Sequence, residues 1–353
     1  MSKGLRLLYY IPGSTLSERE MLYNQGMYRG EMAYGAFQMK EFGAKVVQLS
    51  PLKNWQGTIS RFLYTCYLLL HAHQYDAIYS PYFSGLEYVI RLRGLRLFPK
   101  KILIWHHNPI EKECRGRFAR LSQRWFYHGC DALFMFSDSL KTESLLSGLQ
   151  LGNKTFVLNW GPDMSFYDKI RQPYKCSGSI LMSGMDSRDF NTLLCVCKKK
   201  PNAHFIVVPP NDEIAEKFST CKNVTVKRYP ATFEGYYQLA LETAKVSLVL
   251  ILTKPVEGRK LPSGLTSICE AVGLGKPCVI TRNPYFSKEL LNAGFASFVD
   301  VGDVDTICGE ICRLLADVQE CEKMSGNALR YARMYDVRHM TQQMASIIEN
   351  SLQ

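Results

Sequence analysis

Apolar residues in this chain come in short runs that end at Gly, Pro, His or Ser, and longer amphipathic stretches separate them. Short apolar runs bounded by turn formers read as strands buried on both faces. Amphipathic stretches between them read as crossover helices, so the alternation predicts parallel sheets. In the first half it predicts strands at Arg6–Ile11, Lys45–Leu49, Ala77–Ser80, Lys101–His106, Ala132–Ser137 and Lys154–Leu158, with helices such as Arg29–Phe42, Thr58–His73 and Phe118–Gly129. The stretch from Trp160 through Pro173 to Gly178 is turn-rich and carries neither period, which predicts a domain boundary. The rhythm then restarts, with strands at Ser179–Ser183, His204–Val208, Val224–Lys227, Val246–Leu252, Pro277–Thr281 and Ala296–Val299. Helices are expected at Phe190–Lys199, Glu234–Thr243, Leu265–Gly273, Ser287–Asn292 and Val304–Ala316.

The expected fold class is therefore α/β, with two Rossmann-like doubly wound domains facing across a cleft. The domains would span residues 1–165 and 175–322, and a helical segment, 323–353, would pack back toward the first. A length of 353 residues suits two cores better than one. Apolar residues at 46% and charged residues at 21% are ordinary for a globular chain and argue against disorder.

The 12 cysteines are irregularly spaced, lack a C-x-x-C pair and often sit in apolar runs. They read as small buried hydrophobes in a reducing compartment, and no zinc site is expected. The N-terminal run Leu5–Pro12 reads as a first strand and not as a signal segment. The longest apolar run, Phe62 to Leu70, is far below the roughly 20 residues that span a bilayer. A cytoplasmic protein is expected.

The net charge of +11 is uneven. Residues 1–170 hold 21 Lys/Arg against 13 Asp/Glu, and Arg91 to Arg124 alone carries ten basic residues opposed only by Glu111 and Glu113. Such a surface attracts anionic lipid headgroups or pyrophosphate-linked substrates. No nucleic-acid-binding module accompanies it.

Ligands of open α/β sheets bind beyond the carboxyl ends of strands. Beyond one such strand lies Lys260-Leu-Pro-Ser-Gly-Leu-Thr-Ser-Ile-Cys-Glu270, where a Pro-Ser-Gly turn exposes backbone amides at a helix start and Thr266 and Ser267 add hydroxyls. That makes an anion site fit for a phosphate. Glu270, one turn further in, is assigned to sugar hydroxyls, because a carboxylate nearer the phosphates would repel them. Arg259 and Lys260 precede the turn as candidate counter-charges to a departing diphosphate. His106 and His107 end a strand in the first half, and Gly13-Ser-Thr15 and Pro81–Gly85 are further strand-end loops. No Asp-x-Asp motif appears, so no bound metal is expected.

The run from Ser263 to Thr281, Ser-Gly-Leu-Thr-Ser-Ile-Cys-Glu-Ala-Val-Gly-Leu-Gly-Lys-Pro-Cys-Val-Ile-Thr, resembles the donor-binding signature of the group 1 (family 4) retaining glycosyltransferases of GT-B fold. The resemblance extends loosely through Ser183–Phe190, Trp105–Asn108, Asp131–Ser137 and Asn159–Asp163. It implies that Glu270 binds the nucleotide ribose, that Ser263, Gly264, Thr266 and Ser267 line the diphosphate or donor sugar, and that Arg188, after Gly184, reaches the diphosphate. His107 or His106 would approach the donor sugar. The family's first acid of an E-x7-E pair is replaced by Pro262. The resemblance implies metal-independent transfer of a sugar from a UDP- or GDP-linked donor, without other cofactor, with retention at the anomeric carbon. The basic surface adds a lipid-linked saccharide acceptor at the inner face of the cell membrane, in cell-surface polysaccharide or glycolipid synthesis. The rivals are an inverting transferase or sugar-nucleotide epimerase on the same fold, and an inactive nucleotide-sugar or anionic-polymer binding protein.

Overall fold

The structure, a computed structural model, describes residues 4–11, 15–50, 57–111 and 116–352. Gly13 and Ser14 of the first strand-end loop, and Lys112 and Arg115 of the basic stretch, lie outside the described residues. The chain divides into two compact units: Met1–Asn24, Gly30–Trp160 and Val337–Gln353 make one, and Gln25–Arg29 with Gly161–Asp336 make the other.

The first unit runs β1 (Leu5–Tyr9), α1 (Leu16–Asn24), β2 (Ala44–Val47), α2 (Thr58–Leu70), β3 (Ala77–Ser80), α3 (Glu87–Gly94), β4 (Lys101–Trp105), α4 (Arg117–His128), β5 (Ala132–Met135), α5 (Asp138–Leu145) and β6 (Thr155–Val157). Its six strands pair in the order β2-β1-β3-β4-β5-β6, all parallel. Every residue of β3 and β5 is buried, as expected of strands covered on both faces.

The second unit runs α6 (Met164–Ile170), β7 (Ser179–Ser183), α7 (Phe190–Lys199), β8 (His204–Val208), α8 (Asp212–Glu216), β9 (Val224–Val226), α9 (Phe233–Thr243), β10 (Leu248–Ile251), α10 (Leu265–Gly273), β11 (Cys278–Thr281), α11 (Lys288–Leu291), β12 (Ala296–Val299), α12 (Val304–Ala316) and α13 (Val318–Met334). Its parallel sheet has the order β12-β11-β10-β7-β8-β9, the doubly wound arrangement of a dinucleotide-binding fold. One core cluster joins Leu193 and Val196 of α7 and Ile311 and Leu314 of α12 to Leu250 of β10. Another joins Ile268 and Val272 of α10 and Ala328 of α13 to Leu181, Val249 and Ile280. The last helix, α14 (Val337–Leu352), belongs to the first unit.

The predicted α/β class and its two doubly wound domains are what the chain adopts; three details differ. Residues 29–42 are not a helix but two short 3-10 turns, Gly30–Ala33 and Met39–Phe42, because Tyr34 and Gly35 take left-handed backbone angles of +52° and +82°. The supposedly irregular stretch after Trp160 contains α6, capped by the Asp163 carboxylate, which accepts from Ser165 N. It buries Met164, Phe166, Tyr167 and Ile170, and the units change at Gly161, at the start of the stretch in which the boundary was expected. The terminal helical segment is two helices, α13 and α14, broken at Tyr335 and Asp336 and divided between the units.

Candidate functional site

The second sheet reverses its direction of winding between β7 and β10, which are neighbours. Loops leaving the carboxyl ends of these strands flank the crevice where such sheets take ligands. An antiparallel bridge between Arg188 and Thr253 ties the two loops together. Asp189 N donates to Leu252 O and Lys254 N to Ser187 O, at 2.9 and 3.0 Å.

Arg188 stands at the centre. It is 9% exposed, its Nε donates to Ser183 O at 2.8 Å, and its Nη2 donates to Ser267 Oγ at 2.7 Å. Among the described residues no carboxylate forms an ion pair with it. Asp186, in the same loop, has both carboxylate oxygens within 3.0 Å of Arg259 Nη1. Burial lowers the Arg188 pKa to about 10, which leaves it cationic at neutral pH. A guanidinium buried among neutral acceptors carries a desolvation penalty that an arriving anion relieves.

The start of α10 adds to that field. Its N-cap, Gly264, has φ +99° and no side-chain cap. A Cβ there would fall 2.8 Å from Ile251 Cγ2, so glycine suits both the angle and the space. First-turn N–H groups and the positive end of the helix dipole thus open beside Arg188, with half-buried Ser263, Thr266 and Ser267 around them. Gly184 lets the Arg188 guanidinium lie against the backbone, where a Cβ would sit 2.5 Å from Nε. Arg259 and Lys260 are exposed, and Arg259 is engaged by Asp186.

Glu270 lies further along α10 and is only 5% exposed. Its Oε1 accepts from Thr243 Oγ1 at 2.7 Å, and its Oε2 accepts from Arg29 Nη1 at 2.7 Å. Arg29 comes from the five-residue excursion Gln25–Arg29, which also packs Tyr28 edge-on against Phe233 at 5.3 Å. The Arg29 guanidinium sits 5.9 Å from the Tyr236 ring centroid.

The structure therefore gathers Gly184, Arg188, Ser263, Gly264, Thr266, Ser267 and Glu270 in the second unit. His106 and His107 belong to the first unit, after β4. The two histidines differ. His106 is buried, with Nδ1 2.5 Å from Asn108 O and Nε2 3.0 Å from Tyr127 Oη, so both ring nitrogens are used by the fold. His107 stacks on Tyr34, with centroids 5.9 Å apart, and packs against Tyr82 and Phe136. Its Nε2 is buried with no hydrogen-bond partner. Burial lowers both pKa values to about 4, so each ring is neutral near pH 7. Of the pair, His107 is the one with an unsatisfied nitrogen.

Sequence reasoning missed Arg29 and Thr243. Neither stands in a motif, and Arg29 is 241 residues from its partner, so no local signal marks it.

No protein-family model matches the chain, and no curated protein matches it in sequence. Solved structures do match in shape. The HepE protein of Anabaena, determined with UDP and glucose, aligns at a TM-score of 0.66 with 15% identity, covering 98% of this chain and 99% of that one. A glycosyltransferase from Rickettsia africae aligns at 0.71 with 11% identity over 100% of both chains. WaaG, a glycosyltransferase involved in lipopolysaccharide biosynthesis, aligns at 0.56 with 13% identity over 98% of this chain and 99% of that one. At these identities the likeness defines the fold: the chain has the two-domain architecture of the GT-B glycosyltransferases.

Proposed function

We propose that the protein is a glycosyltransferase that moves a sugar from a nucleoside-diphosphate donor to an acceptor hydroxyl. The observation that carries this reading is the buried Arg188, which forms no ion pair among the described residues, beside the open N-terminus of α10. Diphosphate would accept from Arg188 and from the first-turn N–H groups and hydroxyls of Ser263, Thr266 and Ser267. Glu270 would accept from the ribose hydroxyls. UDP in the HepE structure makes a uridine nucleotide the first candidate, with GDP the second. His107 would offer its neutral imidazole to a substrate hydroxyl.

Transfer with retention follows a front-face course. The acceptor oxygen bonds to the anomeric carbon as the bond to the diphosphate oxygen breaks, and the acceptor proton passes to that departing oxygen. The nucleoside diphosphate leaves, and no protein nucleophile or metal ion is required. Catalysis then rests on positioning and on stabilising the leaving group. The lipopolysaccharide role of WaaG and the basic Arg91–Arg124 stretch favour a lipid-linked saccharide acceptor at a cytoplasmic membrane face, in cell-surface polysaccharide or glycolipid synthesis.

A thermal-shift screen against UDP, GDP, ADP and CMP, free and as sugar conjugates, tests the reading. A ligand at about 100 times its Kd stabilises by about 2.7 kcal/mol. One nucleotide should raise Tm in the wild type and lose that effect in Glu270→Ala and in Arg188→Gln. Absence of a shift with every nucleotide in the wild type would sink the proposal.

A further inference from the structure

Sheets of this kind take their ligands beyond the carboxyl ends of the strands. The first unit also has a cavity at the other end. Lys101 is the first residue of β4, Asp131 stands just ahead of β5 and Lys154 just ahead of β6, three successive strands of the parallel sheet. These amino ends line a cavity of about 580 Å³, which Ile347 and Asn350 of α14 line as well. That volume is in the range of small-molecule sites.

The charges around this cavity do not cancel. Its one acid, Asp131, is already engaged: Arg93 Nη2 donates to Oδ1 at 2.8 Å, Arg93 Nε donates to Oδ2 at 3.1 Å, and Ile102 N donates to Oδ2 at 2.9 Å. Lys101 Nζ lies 3.6 Å from the same carboxylate, beyond a hydrogen bond. Lys154 is half-buried, and its Nζ donates to Tyr127 O at 2.6 Å. Among the described residues no carboxylate forms an ion pair with Lys154. Burial lowers its pKa, as expected of an ammonium drawn out of water toward a neutral acceptor. The ammonium keeps further N–H donors for a ligand.

The rest of the lining decides what that ligand is. A metal cation is disfavoured, because Asp131 is engaged and burial raises the Cys130 thiol to about 12, so no thiolate is on offer. Lys101 and Lys154, with exposed His128 beside them, favour an anion. Asn153 and Asn350 add exposed amides that can bond hydroxyls, and Phe156 gives an aromatic wall.

We propose that this cavity binds a small phosphate monoester of a polyol, with the phosphate on Lys101 and Lys154 and the hydroxyls on the Asn153 and Asn350 amides. A phosphomonoester brings close to two negative charges and three acceptor oxygens, which suits two ammonium groups on either side of β5. A carboxylate brings one charge and would leave one ammonium unmet. Because Asn350 belongs to α14, the ligand would pin the C-terminal helix to the sheet. The inference does not depend on the transferase reading, because it uses none of the nucleotide-site residues.

Isothermal titration calorimetry of the full chain tests it, with β-glycerophosphate and with glucose phosphorylated at its primary hydroxyl. At least one ester should bind more tightly than inorganic phosphate, and free glycerol and glucose should not bind. Lys154→Met should weaken binding about tenfold or more. Asn350→Asp should do the same by setting a carboxylate beside the phosphate, and its exposed position makes it the deciding variant if circular dichroism shows Lys154→Met unfolded. Arg188→Gln should leave the ester affinity unchanged. Bound ester should also slow amide hydrogen exchange in the last turns of α14. Three results would each overturn the proposal. The first is binding lost in Arg188→Gln and kept in Asn350→Asp, which assigns the ester to the nucleotide site. The second is an affinity no better than that of inorganic phosphate, which leaves only a simple anion site. The third is no binding of either ester.

Discussion

At the scale of single residues the informative contrast is between half-buried Arg29, which has a carboxylate partner, and buried Arg188, which has no ion-pair partner among the described residues. Breaking a buried ion pair by removing one member strands the other, which costs about 3–5 kcal/mol. Arg29→Met is therefore expected to destabilise by about that much, since the Glu270 carboxylate is only 5% exposed. The double variant Arg29→Met with Glu270→Gln should lose less than the sum of the two single losses. Urea denaturation of the four proteins measures the coupling, and strictly additive losses would show that the pair is not a unit. The contrast also marks the limit of what the sequence reveals. Ser263 to Glu270 is legible because a turn, a helix start and an acid sit within one short motif, and Arg188 because it follows a strand and a glycine. Arg29 is invisible there, since only folding brings it to α10.

At the scale of elements, strands were easier to read than the segments between them. A strand buried on both faces has one composition, and β3, β4, β5, β7, β8, β10 and β11 all carry it. Residues 29–42 mislead because their buried aromatics recur at near-helical spacing while Tyr34 and Gly35 sit at positive φ. The stretch after Trp160 misleads in the opposite sense, since its glycine and proline hide the apolar face of α6 behind an Asp163 cap. Some helices also keep residues that do not favour helix. Gly309 in α12 and Gly326 in α13 are exposed, and a Cβ at either would meet nothing within 4 Å. Replacing each by alanine should stabilise the second unit by about 0.5–1 kcal/mol, because a helical glycine surrenders more backbone freedom on folding. A calorimetric Tm that falls in either variant would show that the glycine does something the packing does not reveal.

For the molecule as a whole, buried titratable groups divide the response to pH between the two units. The first unit holds buried His106 and half-buried His107 as neutral rings, with folded pKa values of about 4 against about 6.5 in an unfolded chain. Between pH 6.5 and 4 the unfolded chain takes up protons that the folded one does not, so stability falls as pH falls. The contribution is complete above pH 6.5 and gone below pH 4, and for buried His106 it amounts to about 3 kcal/mol. The second unit buries Lys276, whose Nζ donates to Ala244 O at 2.7 Å, and burial lowers its pKa to about 8. Between pH 8 and about 10.4 the unfolded chain holds a proton that the folded one has lost, so here stability rises with pH. Below pH 8 the buried ammonium imposes a constant penalty. Denaturation curves at a series of pH values should therefore show His107→Phe flattening the acid slope between pH 6.5 and 4. Lys276→Met should instead remove a rise on the alkaline side and leave the acid slope alone. If both variants track the wild type in parallel across the whole range, the loss of stability at acid and alkaline pH has other sources than these buried groups.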